Sequence, residues 1–140
     1  MPYELYSDVE LLALCIWREA RGEGQDGMRA VAHVINNRVG KEGFGSTFQS
    51  VILGKNQFTS MSVPTDPEFN LMPDVGDPQY SYCLALAPTV LGGTDPDLTT
   101  GACYYANIKE ATSGWFFKHI VNDPVNHPLL ATIGHQNFYK

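Results

Sequence analysis

The sequence predicts an α+β fold with helices first and a small sheet last. Three observations lead there. Apolar residues recur with helical spacing through the N-terminal third. The two strongest helix starts, Ser7-Asp8-Val9-Glu10 and Asp77-Pro78, precede the Gly92-Gly93 pair. Two short segments containing aromatics and flanked by turn residues, ACYYA (102–106) and TIGHQNFY (132–139), then close the chain as two or three strands.

The first helix opens on a capping box, in which Ser7 covers a free amide and Glu10 reaches back to Ser7. It is expected from Asp8 to about Arg21, stopped by Gly22. Leu12, Cys15, Ile16 and Glu19 fall at i, i+3, i+4 and i+7. Glu19 therefore continues the apolar stripe, while Arg18 and Arg21 are expected to point elsewhere. A glycine-rich turn follows, with Asp26 as the expected N-cap of a second helix. There Met28, Val31, Ala32, Ile35 and Val39 keep the spacing, and Ala30 and Val34 make the helix apolar over most of its circumference. That pattern predicts a central helix, ending between Asn37 and Gly40.

Lys41 to Ser46 read as a loop before a short helical turn at Thr47 to Leu53. Pro64, Pro67 and Pro73 preclude long regular structure between Gly54 and Gly76, a long loop of the kind often used functionally. Asp77 as N-cap and Pro78 at the first helical position start a third helix, expected through about Leu91, with Pro88 kinking or shortening it.

A chain of 140 residues holds one domain, taken as 1–140. Its 44% hydrophobic and 17% charged residues exclude a disordered acidic tail. With 15 Asp and Glu against 9 Lys and Arg, a formal charge of -6 and no basic cluster, the chain is not expected to bind nucleic acid. Nor should it attach by charge to an anionic membrane or wall polymer. The longest wholly apolar run, Leu11 to Ile16, is far short of the roughly 20 residues that span a bilayer. The N-terminus lacks the basic and apolar segments of a signal peptide. Cys15, Cys83 and Cys103 are scattered and odd in number, which predicts no disulfide framework and synthesis in a reducing compartment, the cytoplasm. His33, His119, His127 and His135 form no ligand pattern, so neither a metal nor another cofactor is expected.

Glu19 is the leading chemical candidate. Desolvation by its apolar face and the negative end of the helix dipole both favour the protonated acid, the form that can donate to a glycosidic oxygen. The competing reading pairs Glu19 with Arg38 or another base as a structural tie. Glu23 lies past Gly22, so no regular helix fixes its distance from Glu19; it is either a cap or loop acid, or a secondary site residue. Gln57 is either a polar site residue or an amide that orders its loop. Tyr104 and Tyr105 alternate on a strand, so only one should face a cleft. Trp115, in an aromatic run, is expected in the core more often than at a binding surface. Cys15 and His33 read as core or boundary residues.

The run Glu19-Ala20-Arg21-Gly22-Glu23, then Gly27 and Ala30 to Val39 (AVAHVINNRV), resembles the spore-cortex-lytic type of cell wall hydrolase, a family of bacterial and phage peptidoglycan-cleaving enzymes. Gln57-Phe58-Thr59 is similar to the family's Q-F-[ST] step, Asp97 to Tyr105 (DLTTGACYY) to its D-x-T-x-G-A-x-x-Y segment, and Ile133 to Tyr139 to its closing I-G-x-H-x-F-Y. These motifs keep the family's order over nearly the whole chain. The resemblance implies a lysozyme-like helical domain with a small antiparallel β region toward the C-terminus. It also implies lytic transglycosylase activity on peptidoglycan glycan strands, with Glu19 as catalytic residue. Within its motifs Gln57, which could hydrogen-bond an acetamido group, and Tyr105 are the expected substrate-binding residues, with Glu23 a secondary one.

Such an enzyme would need one carboxyl, protonating the leaving oxygen and then helping the 6-hydroxyl of N-acetylmuramic acid close an anhydro ring, whereas ordinary glycosidases need two. A hydrolytic muramidase, or a non-catalytic glycan-binding virion protein, are the other readings of the same fold. Where the family carries its closing His, this chain has Gln136, with His135 one place earlier. A one-residue shift on a strand turns a side chain to the opposite face, so no histidine role is transferred. A monomer acting at the bacterial wall is expected, made without a signal, as a phage lysin, a virion-borne enzyme or a trimmed bacterial protein.

Overall fold

The computed structural model describes residues 3–55, 57–109 and 114–140. Helix α1 spans Asp8–Ala20 and begins at the expected capping box, Ser7 Oγ accepting from Glu10 N at 3.1 Å and Glu10 Oε1 from Ser7 N at 3.1 Å. A 3₁₀ turn, Arg21–Glu23, carries the chain past Gly22. Gly24, at φ +77°, then lets α2 (Gly24–Arg38) start at once. Asp26 is therefore inside the first turn of α2 rather than its N-cap, paired at 3.5 Å with Arg29.

Leu11 through Ile16 are all fully buried. Helix α1 packs against α2, α3 (Phe48–Leu53), α4 (Thr59–Ser62) and α5 (Pro78–Leu91). The hub is α1, and α2, expected at the centre, lies against α1 and α5 and touches the sheet as well. Because residues 11–18 of α1 are buried without a break, Arg18 is buried too, contrary to expectation. The chain between Gly54 and Gly76 supplies two of its partners, the carbonyls of Ser60 and Leu71, to each of which Arg18 donates at 3.0 Å; it also donates to Tyr3 Oη at 3.0 Å.

Helix α5 has the expected cap, Asp77 Oδ1 accepting from Gln79 N and Tyr80 N at 2.8 and 3.0 Å. It is not broken at Pro88 but runs on to Leu91. Its end closes as a Schellman motif, with Thr94 N donating to Thr89 O, Gly93 N to Val90 O, and Gly93 at φ +75°.

The sheet holds β1 (Tyr104–Asn107), β2 (Leu129–Ile133) and β3 (Gln136–Tyr139) in the antiparallel order β1-β3-β2. The segment read from Thr132 onward divides at a two-residue turn, Gly134-His135, with Gly134 at φ +60°. Asp97 launches β1. Its carboxylate accepts from Asn37 Nδ2, Thr99 N, Thr99 Oγ1 and Gly101 N at 2.7–3.0 Å, fastening the chain to α2. Between β1 and β2 a short helix, α6 (Gly114–Phe116), continues into a π-helical turn, Phe117–Val121; Ser113, which opens that aromatic run, lies outside the described residues. The fold is thus α+β, a helical body with one small antiparallel sheet.

Candidate active site

A cleft of about 720 Å³ separates the helical body from the edge of the sheet. Glu19, half-buried in the last turn of α1, opens into it. Its Oε1 accepts a 2.8 Å hydrogen bond from the hydroxyl of Tyr105 on β1. The Tyr105 ring stacks on Phe138 of the neighbouring strand, centroids 5.7 Å apart. Burial, and then the adjacent carboxylate of Glu19, push the Tyr105 hydroxyl well above the usual phenol range, so it stays a neutral donor. Burial does the same to the Cys15 thiol one turn before Glu19, with Glu19 adding to the effect. Cys15 is thus a core residue and no nucleophile.

Glu19 takes part in no ion pair among the described residues, which removes the structural-tie reading. Arg38 has other partners. Its Nε donates to Cys103 O at 2.7 Å and its Nη1 to Gln57 Oε1 at 3.3 Å. Its guanidinium lies over the rings of Phe44 and Phe58, at 4.7 and 5.0 Å. Arg38, Gln57 and both rings line the cleft.

Tyr104 and Tyr105 both line the cleft, although alternation predicted only one. β1 is an edge strand, and the cleft wraps around that edge to reach both of its faces. Trp115 is 63% exposed at the cleft, not in the core, tilted against His119 with centroids 5.1 Å apart. Gln136, at the start of β3, lines the cleft at 8% exposure, and its Oε1 is buried with no partner among the described residues. His135 sits outside on the turn, its side chain 84% exposed. Arg38, Phe44 and Gln136 are among the cleft residues that sequence reasoning did not assign to the site. The signals for Arg38 were a cation ending an apolar helix and its place in the AVAHVINNRV run, and they pointed to a tie with Glu19 and not to the cleft wall.

Glu23 does not line this cleft. It borders a neighbouring hollow of about 370 Å³, shared by Glu19, Arg18, Arg21, Gly22 and Glu68. It holds the N-cap position of α2 without making a capping bond, and its Oε2 is 4.0 Å from His135 Nδ1. Gly27 is needed here, since a Cβ at that position would come within 2.5 Å of Glu23 Cβ. Glu68, the other acid of the hollow, is held bidentately by Arg21. His33, read as a core or boundary residue, is buried and bonds Asp95 Oδ2 at 2.7 Å, away from the cleft.

Among the described residues no group of three His, Cys, Asp or Glu could hold a metal ion, and no helix is long and apolar enough to cross a membrane. The three cysteines are buried and unpaired.

A family model described as Cell Wall Hydrolase matches residues 22–139. The chain belongs to the cell wall hydrolase family. Among its relatives is a spore cortex-lytic enzyme of Oceanobacillus iheyensis, 33% identical over 134 residues, which are 96% of this chain and 42% of that protein. Another, from Halalkalibacterium halodurans, is 34% identical over 111 residues, 79% of this chain and 30% of that one. The chain thus spans less than half the length of these relatives.

Two solved domains share the fold at 31% identity. The catalytic domain of the Bacillus cereus SleB protein superposes with a TM-score of 0.70, covering 95% of this chain and 89% of that domain. The catalytic domain of the germination-specific lytic transglycosylase SleB from Bacillus anthracis gives 0.71, covering 96% and 97%. The α+β architecture of this cell wall hydrolase is therefore that of a catalytic domain.

Proposed function

We propose that this chain cleaves the MurNAc-GlcNAc glycosidic bond of peptidoglycan as a lytic transglycosylase, with Glu19 as its single acid and base. The observation that carries this reading is that Glu19 is the one carboxylate among the described residues lining the 720 Å³ cleft, and that its Oε1 is occupied by Tyr105. Oε2 is left to carry the proton. Glu19 gives that proton to the glycosidic oxygen as the C1–O bond breaks and positive charge develops at C1 of the muramic acid ring. The resulting carboxylate then takes the proton of the 6-hydroxyl as its oxygen bonds to C1, closing the 1,6-anhydro ring and restoring the acid. No water is consumed, and no second carboxylate is required.

Tyr105 positions the acid, Gln57 holds sugar substituents, and Glu23 contacts the strand where it leaves through the neighbouring hollow. The family and the solved relatives support a peptidoglycan substrate. The relatives named above are bacterial spore cortex-lytic enzymes, so the cortex is a better-supported setting than the phage lysin expected from the sequence.

Hydrolysis on the same fold is the second reading, favoured by one observation: Glu23 borders the same hollow as Glu19 and could serve a water. Mass spectrometry of muropeptides released from purified sacculi decides between them. Transglycosylation gives anhydro-muropeptides, and hydrolysis gives products one water heavier. Glu19→Gln, with its fold checked by circular dichroism, is expected to release neither; undiminished release would remove Glu19 from the mechanism.

A further inference from the structure

The orientation of one amide in the cleft carries a consequence for which sugars the site accepts. A guanidinium has only donors, so the edge of Gln57 that meets Arg38 Nη1 at 3.3 Å must be its oxygen. The amide nitrogen is thereby turned to the other side of a residue that lines the cleft, and among the described residues it has no acceptor. Arg38 is itself held in place. Its Nε is bound to Cys103 O, and its plane lies against Phe44 and Phe58. It forms no ion pair with a carboxylate among the described residues, so its positive charge bears on the same wall of the cleft.

That wall presents a fixed neutral donor backed by a cation. The strongest neutral acceptor on an N-acetylhexosamine ring is its acetamido carbonyl. The corresponding free-amine sugar carries an ammonium at neutral pH, a donor and a cation, which would leave the Gln57 nitrogen unpaired and face the charge of Arg38. We infer that Gln57, locked by Arg38, reads the acetamido group of one ring and makes the enzyme select N-acetylated over de-N-acetylated glycan strands. This rests on the proposed glycan-cleaving function and adds to it a chemical basis for choosing among strands.

The test uses one batch of sacculi treated with acetic anhydride to cap the peptide amines, half of it then treated with a peptidoglycan deacetylase. Relative kcat/KM on the two halves gives a selectivity ratio. The wild type is expected to favour the acetylated half by about tenfold or more, the scale of one polar contact made or left unpaired. Gln57→Glu, which has no donor and adds a negative charge, should lower the ratio by at least about tenfold. Gln57→Met, close in size and without charge, should bring it toward one, and it guards against a fold disturbed by the new acid.

Ratios unmoved in both folded variants, or a wild type indifferent to acetylation, would overturn the inference while leaving strand cleavage intact. A wild type that releases nothing from either half would overturn the cleavage reading itself, and this one with it.

Discussion

Tyr105 Oη lies 2.8 Å from Glu19 Oε1, joining the edge strand of the sheet to the last turn of the central helix across 86 positions of sequence. It is a bond between the candidate acid and the β region, and it fixes which carboxylate oxygen can face a substrate. The ring behind it is held by Phe138, so the hydroxyl is delivered at a set place.

Tyr105→Phe removes that donor and keeps the stack on Phe138. Hydrogen bonds to charged groups are worth about 1.5–3 kcal/mol, so kcat should fall by roughly 10- to 100-fold with KM within about a factor of two. Tm should fall by several degrees as well, since the same bond ties β1 to α1. Steady-state rates of muropeptide release, beside a thermal melt, check this. A loss confined to KM would mean that Tyr105 holds the glycan and does not position the acid.

Asp97 gives the fold an acid-sensitive tie. Burial works against its charge, but the bonds from Asn37, Thr99 and Gly101 outweigh it and hold the carboxyl below its ordinary value. A depressed folded value means that the contribution is fully present above the unfolded pKa and is lost as pH falls through the folded one. Melts of the wild type should therefore lose stability as pH drops below about 4. Asp97→Asn should start lower at pH 7, by about 1–3 kcal/mol, and decline less steeply. It will still decline in part, because Asp95 is held low as well, with burial opposed by His33 and Arg29. Two parallel curves would show that the tie does not depend on the charge of Asp97.

What the sequence made legible follows from how local its signals are. Caps at Ser7, Thr47 and Asp77 act within three residues, and each starts a helix where it was expected. The stripe through Leu12, Cys15 and Ile16 leads to Glu19 by helical geometry alone, and that residue opens into the cleft. The misplaced residues depend on distant chain. Arg18 is buried because carbonyls at Ser60 and Leu71 reach it, and no pattern near residue 18 encodes them. Both tyrosines line the cleft because β1 is an edge strand, a fact of sheet order and not of alternation. Trp115 lies in an apolar run and was expected to be buried, but its helix packs at the margin of the sheet, where the ring faces the cleft.

Gln136 places an amide oxygen in the interior without a partner. A buried unpaired polar atom costs roughly 1–3 kcal/mol, and an apolar replacement of the same shape removes that cost. Gln136→Met should therefore melt at or above the wild-type temperature despite altering a residue at 8% exposure. Differential scanning calorimetry checks it. A fall of more than about 4 °C, roughly 1 kcal/mol for a chain of this size, would show that the amide has a partner essential to the fold.

Trp115 is the exposed member of the two tryptophans: it is 63% accessible while Trp17 is 6%. An aromatic face at the rim of a cleft suits the apolar face of a pyranose, and aromatic stacking contributes on the order of 1 kcal/mol. Trp115→Ala should therefore weaken binding of soluble glycan fragments about fivefold while Tm stays within about 1 °C, since little packing is lost. Intrinsic fluorescence reads the same event directly. Buried Trp17 supplies a steady background, so the change in emission on adding fragments to the wild type should vanish in Trp115→Ala. A fluorescence change that survives the substitution would place the sugar near Trp17, on the side of the Arg21 hollow, and not on the sheet side of the cleft.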